Sequence, residues 1–408
     1  GRSGQALEAG LYHYAPEDHS LRLLRAGDYR RTVVDATGDE PSVARAPVII
    51  IITSNLWRNA WRYQERTYRH VYWDAGTVLA NLLAVTADEH LPARVVLGFA
   101  DREINALLDI DGRREAAVCL VAVGRSSETP TSAPPLAPLN LPTQPLSPRE
   151  IEFPAIAAMH EASSLESGDA ARAWRTHPLP RAVPPASGPL TPLTPIDAAR
   201  LPSDGIDVVI ARRRSNRHYA ADIPLPFDAF STVLDRAARA AAIDCLDPAH
   251  PSLHDRYLIV NNVERLVPGL YLVRPDERAV ELLSAGDYRS AAMRIACNQD
   301  YAAAAHVNAY ALTDLTPVLA HFGNRGYRVA QLEAALFGAR LQLAAHALGL
   351  GAVGSTSIDD EVTALFSPHA ARKSFMFVAV FGIKRRASVA EIADTSRFLQ
   401  PEAEQSRD

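Results

Sequence analysis

A chain of 408 residues, 48% hydrophobic and 22% charged, has the balance of a globular protein with ample material for a core. Its formal net charge of −5 argues against a general nucleic-acid or anionic-membrane binder, so any basic cluster needs a local explanation. The three cysteines, Cys119, Cys245 and Cys297, are too few and too scattered for a disulfide framework or a zinc site, and no other group stands at metal spacing, so no metal is expected.

In chain order, "GRSGQALEAG" lacks the basic start and apolar core of a secretory signal, and a cytoplasmic location is expected. The stretch 9–30, "AGLYHYAPEDHSLRLLRAGDYR", predicts a β-hairpin followed by a helix. "APVIIIITSNLW" is far shorter than the roughly 20 residues of a membrane helix and reads as a buried strand over 47–53. A long helix near 72–87, a short strand in "ARVVLG", a helix capped at Asp101 and the strand "AAVCLVAVG" complete a first half, 1–125. Residues 126–204 are dense in proline and form a linker, with one helix expected inside "IEFPAIAAMHEASSLESGDAARAW". The second half, 205–390, opens on a helix carrying Ile206, Val209 and Ile210. It then predicts a hairpin, a strand over 306–312, a helix over 331–348, a strand in "GAVGS", a helix capped at Asp359 and the strand "SFMFVAVFG". Residues 391–408 are a tail.

The halves repeat one another. Gly10 and Gly269 lie 259 positions apart (269 − 10), and the same offset carries Gly27-Asp28-Tyr29-Arg30 onto Gly286-Asp287-Tyr288-Arg289, and Arg66, Tyr68 and Arg69 onto Arg325, Tyr327 and Arg328. One register held across separated blocks implies an internal duplication. An offset of 258 then matches "DREINALL" with "DDEVTALF", one residue having been lost between. Some 60 residues precede the "GLY" strand in the second half and nine in the first, so the first reads as truncated.

Those extra residues include "ARRRSNRHYAADIPLPF". In extended chain Arg213, Ser215 and Arg217 share one face, and two guanidinium groups with a hydroxyl suit a phosphate monoester. The alternative is a solvated helix end whose arginines offset the helix dipole. With "IPLPFDAFSTVLDRAARA" behind it and "ALGLGAVGSTSIDDEVTALF" further on, the cluster resembles the opening of the nitroreductase fold. "PGLY", "WRYQERTYRHVYWDAG" and "FPAIAAMHEASSL" resemble the SagB-type dehydrogenases within that fold, FMN-dependent azoline oxidases of ribosomally made peptides.

The resemblance implies an α+β fold of two tandem nitroreductase-like halves, the first truncated, closing as an intramolecular pseudo-dimer around one FMN, with further homo-oligomers left open. It implies that Arg213, Ser215 and Arg217 hold the FMN phosphate, joined by Lys384 and Arg386 unless these are a solvated basic tail. Ser252 would sit in a turn near the flavin, although Leu253 and His254 replace the usual small residues there. Gly354 and Ser355 would offer backbone N–H groups to the flavin N5/O4 edge. An azoline-bearing peptide and a cyclodehydratase complex are the implied partners. The family's Lys-Tyr pair, associated with the substrate proton, reads Arg62-Tyr63 here and His321-Phe322 in the second half. Arginine stays protonated, so Arg62 would stabilise an anion or favour the Tyr63 phenolate, while His321 is either a base or structural. A general NAD(P)H-dependent reductase of nitro or enone compounds and a non-catalytic scaffold of a heterocyclase complex are the alternatives.

Overall fold

In the computed structural model, which describes residues 7–142, 144–145, 147–176, 179, 185–246 and 252–385, each half builds the same core of elements. The first half begins with the hairpin β1 (Gly10–Ala15) and β2 (Ser20–Ala26), followed by α1 (Arg30–Ala36). Then come β3 (Val48–Asn55), α2 (Thr67–Asp88), β4 (Ala93–Val96), α3 (Asp101–Leu108) and β5 (Glu115–Val123). The linker carries α4 (Pro154–Ala162) and α5 (Gly168–Arg175), and β6 (Leu190–Pro192) leads towards α6 (Ile206–Arg212) and α7 (Phe227–Ala237). The second half continues with β7 (Asp255–Val260), the hairpin β8 (Gly269–Arg274) and β9 (Ala279–Ala285), and β10 (Val307–Thr313). It closes with α8 (Arg325–Ala347), β11 (Gly351–Ser355), α9 (Asp359–Leu365) and β12 (Ser374–Gly382). No helix among the described residues is long and apolar enough to cross a membrane.

The two halves differ in how far their sheets extend. In the second, β7 joins β10 to the hairpin, giving an antiparallel sheet in the order β11-β12-β10-β7-β8-β9-β6. In the first, no described strand lies between β3 and β1, so the hairpin stands alone and β3-β5-β4 form a separate sheet. This changes the burial expected for β3: every residue of β10 is buried and none of β3 is, because β3 is an edge strand.

The linker forms two helices where one was expected. Between them Ser163 turns inward, its hydroxyl accepting from Arg328 Nε at 2.8 Å and meeting the Tyr68 hydroxyl at 2.9 Å. The Leu165 N–H then donates to Asp101 at 2.9 Å, and Ser167 caps α5 through the Ala170 N–H. These bonds hold the break in place.

The long helices α2 and α8 pack against each other at the seam between the halves. Gly76 permits the closest approach: a Cβ there would lie 2.4 Å from the Leu332 carbonyl oxygen and 2.9 Å from the Ala335 Cβ. Gly76→Val should therefore force the helices apart and cost about 3 kcal/mol or more, read as a lower urea midpoint.

The carboxylates expected to cap α3 and α9 act elsewhere. The N-cap positions are Ala100 and Ile358, neither with a side-chain cap bond. Asp101 instead receives Arg325 at 2.6 Å and Arg328 at 2.7 Å across the seam, while Asp359 receives Arg69 at 2.6 Å and Arg66 at 3.4 Å. Each pairing is the other with the halves exchanged. A contact returned by its own counterpart is the arrangement of a two-fold interface.

Candidate functional site

The seam opens at one end, where the arginine cluster meets the sheet edge. α6 stops at Arg212, and Arg213 leaves the helix at φ −57 and ψ 133. The extended chain then bridges Ser215 to Ala352 of β11, with the Asn216 N–H donating to the Ala352 carbonyl at 3.1 Å. Tyr219 bridges Lys384, and the Ala220 N–H donates to Ile383 at 2.9 Å. Lying between β11 and the run beyond β12, this segment brings Arg213, Ser215 and Arg217 to Lys384. Gly351 allows the approach, since a Cβ there would lie 2.5 Å from the Asn216 side chain. Arg386 lies outside the described residues.

The cations in this region differ in what balances them. Arg212 pairs with Asp204, and the Arg214 guanidinium turns back onto the carbonyls of Ala211 and Arg213 at 2.8 and 2.9 Å. Half-buried Arg213 and exposed Arg217 and Lys384 pair with no carboxylate among the described residues. The Arg217 guanidinium lies 5.6 Å from the Tyr301 ring centroid, and the Tyr301 hydroxyl bonds the Ser355 hydroxyl at 2.5 Å. Beside Arg213 and Lys384, buried His346 leaves its Nε2 without a partner.

β11 offers donors along its free edge. Its Ala352 carbonyl faces outward to Asn216. Of Gly354 and Ser355, strand alternation turns the Gly354 N–H away from β12 and the Ser355 N–H towards it. The first half reaches over at this point, with Arg66 Nη2 at 3.4 Å from both the Thr356 hydroxyl and the Ser357 carbonyl.

Tyr63 sits one helical step before this contact. Its ring stacks on His70 at 4.2 Å and 21°, with the Arg62 guanidinium 5.6 Å above it. Burial first, then Arg69 and Arg66, drives the His70 imidazole down to about 4, so it is neutral near pH 7, and its buried Nε2 has no partner. His321 packs edge-on against Phe322, whose carbonyl accepts from the Trp174 indole at 2.9 Å, which places it beside the linker helix α5. Ser252 lies with Arg256 and His254, at 3.3 and 3.2 Å, next to Glu333.

The counterpart of this open edge is closed. The Val95 N–H donates to Ala242 at 2.8 Å, and the N–H groups of Leu97 and Gly98 both donate to the Asp244 carboxylate at 2.9 Å. Arg175 of α5 covers the same place, donating to the Gly98 carbonyl at 2.7 Å. Protein atoms thus satisfy the edge of β4, while beyond Ala352 no described strand pairs with the edge of β11, beside three cations that no described carboxylate balances.

Such a set fits a flavin mononucleotide. Cations and the Ser215 hydroxyl suit its phosphate, and an outward N–H group suits a ring edge that becomes anionic on reduction. The sequence comparison agrees, because the nitroreductase family model matches residues 4–125 and 210–383. The chain belongs to the nitroreductase family. Over 122 residues this family member is 30% identical to a provisionally named nitroreductase of Methanocaldococcus jannaschii, a stretch amounting to 30% of this chain and 60% of that protein. A crystal structure of a provisionally named nitroreductase from Anabaena variabilis covers 94% of this chain with 79% of its own, at a TM-score of 0.74 and 22% identity, and so shares the fold. A chain of the Escherichia coli microcin synthetase complex covers 41% of this one with 68% of its own, but a TM-score of 0.35 and 17% identity carry no argument about activity.

His70, Tyr301, His346, Thr356 and Asp244 were not legible as site residues in the sequence.

Proposed function

We propose that this nitroreductase-family chain is a duplicated pseudo-dimer that binds one FMN at the seam and oxidises azolines to azoles in a ribosomally made peptide. The observation that carries the reading is the set of unbalanced cations, Arg213, Arg217 and Lys384, lying beside the open edge of β11. When bound, FMN supplies the hydride acceptor. Arg213, Ser215, Arg217 and Lys384, with Arg386 two positions further on, would hold its phosphate. The N–H group of Gly354 would face the ring edge. The second such edge is closed by Asp244 and Arg175, which sets one flavin per chain.

Azoline oxidation also requires a proton to leave the substrate ring. Tyr63, stacked on neutral His70 and overlain by Arg62, is the proposed handler, with Arg62 stabilising negative charge in place of the family's lysine. Support for the peptide substrate comes from where the subfamily-like blocks fall. "WRYQERTYRHVYWDAG" supplies Arg66, Arg69, His70 and Trp73 to the seam, and "FPAIAAMHEASSL" supplies Ser163. A cleft of about 620 Å³ lined by Trp57, Arg58, Trp61, Gln64, Arg149 and Ile151 also opens on the segment that carries Tyr63, a size suited to a peptide segment. A cyclodehydratase complex in the cytoplasm would present that peptide.

Anaerobic titration of the purified protein tests the reading. It should hold one flavin per chain, and an azoline-bearing peptide should bleach the flavin absorbance while NAD(P)H alone leaves it unchanged. Rapid bleaching by NAD(P)H without peptide would replace the azoline reading by a general reductase. A colourless, folded protein that takes up no FMN would remove both.

A further inference from the structure

His346 stands in the last turn of α8, 7% exposed, and no role described above is assigned to its ring. The Arg214 and Ala352 carbonyls lie close enough to the imidazole to act on its protonation, and its buried Nε2 has no hydrogen-bond partner among the described residues. Those carbonyls flank the bridge from Ser215 to Ala352, so the ring backs onto the strand that presents Arg213, Ser215 and Arg217. Buried polar atoms are nearly always paired. An unpaired buried nitrogen beside cations that lack an anion marks the place of an oxygen-rich anionic ligand.

We propose that His346 is a ligand of the bound phosphate and takes up a proton as that anion arrives. The proposal rests on the FMN reading and adds a residue that the Arg-x-Ser-x-Arg pattern does not include. Without an anion the imidazole is held neutral by burial first and then by Arg213, with Lys384 adding to it. The other charged or titratable groups around it are Arg212, paired with Asp204 and donating to the His346 carbonyl at 3.1 Å, Arg214 turned back on its own backbone, His218 on the same segment, and Arg385 beyond β12. A phosphate dianion reverses the balance, because it neutralises the two cations and offers acceptor oxygens to an Nε2–H. The C-terminal end of α8 also favours a positive imidazole. Since the second ionisation of such a phosphate lies near pH 6, at about pH 7 and above the ligand is largely deprotonated and the proton comes to the protein. His346 then has a higher pKa bound than free, so the gain in affinity is complete below the free value and is lost as pH rises through the bound value.

FMN affinity measured by flavin fluorescence from about pH 6.5 to about pH 9 decides the matter. The wild-type Kd should rise by up to about tenfold per pH unit between the free-state and bound-state titrations and level off above the latter, and within that interval calorimetry in buffers of different ionisation heat should show up to about one proton taken up per FMN. Riboflavin, which lacks the phosphate, should show neither effect. His346→Gln should bind FMN with a flat profile, and His218→Gln should keep the slope. If His346→Gln does not fold, the wild-type His346 imidazole resonance should move to its protonated form with FMN and not with riboflavin. A flat wild-type profile, or the same slope in His346→Gln, overturns the role of His346 and leaves the FMN reading standing. Absence of FMN uptake at every pH overturns the reading beneath it.

Discussion

Asp101→Asn should destabilise the protein by about 3–5 kcal/mol, whereas Asp359→Asn, the same change with the halves exchanged, should cost about 1 kcal/mol or less. The difference comes from burial. Arg325, Arg328 and Asp101 are 3%, 2% and 5% exposed, while Arg66, Arg69 and Asp359 are 44%, 11% and 29% exposed. An asparagine at 101 keeps the shape but leaves two guanidinium groups in the interior with no counter-charge. Water reaches Arg66 and relieves the equivalent loss at 359. The Asp101 carboxyl also sets an acid limit. Burial opposes its charge, but Arg325 and Arg328, helped by the Leu165 N–H, outweigh this and hold it below its ordinary 3.8. Its contribution is therefore complete above the unfolded value and is lost as pH falls through the lowered folded value. Urea melts of both variants at neutral and acid pH measure this, and equal losses from the two substitutions would show that burial does not decide the effect.

What could be read from the sequence depended on how local each feature was. The hairpins and the closing strands follow from neighbouring residues and correspond to elements of the fold. The alternation of Arg213, Ser215 and Arg217 was legible because extended geometry needs only adjacent positions. The long helices begin earlier than their apolar pattern, at Thr67 and Arg325, because Arg66, Arg69, Arg325 and Arg328 look like solvated charges until partners some 220 to 290 residues away are placed beside them. The same distance in sequence hides Asp244, which closes the edge of β4, and His346, which lies behind Ser215. Which of Gly354 and Ser355 points its N–H outward depends on which neighbour each strand edge pairs with, and no single strand encodes that.

The double variant Arg213→Ala/Arg217→Ala should lose FMN affinity by roughly 10²–10⁴-fold, since a hydrogen bond to a charged group contributes about 1.5–3 kcal/mol and each 1.4 kcal/mol is tenfold. The loss should belong to the phosphate, so riboflavin affinity should change by less than about twofold. Arg214→Ala is the matched control: it removes the same charge from the same segment, but that guanidinium is already held by the Ala211 and Arg213 carbonyls. Neither Arg213 nor Arg217 balances a carboxylate among the described residues, so their removal strands no described buried charge, and the flavin-free melting temperature should hold or rise as like-charge repulsion falls. This separates a ligand-binding cluster from a structural one, because a structural arginine pair would lower stability whether or not flavin is present. Equal FMN loss from Arg214→Ala would mean that net charge alone attracts the anion, and the geometry of the extended segment would then have no part in holding it.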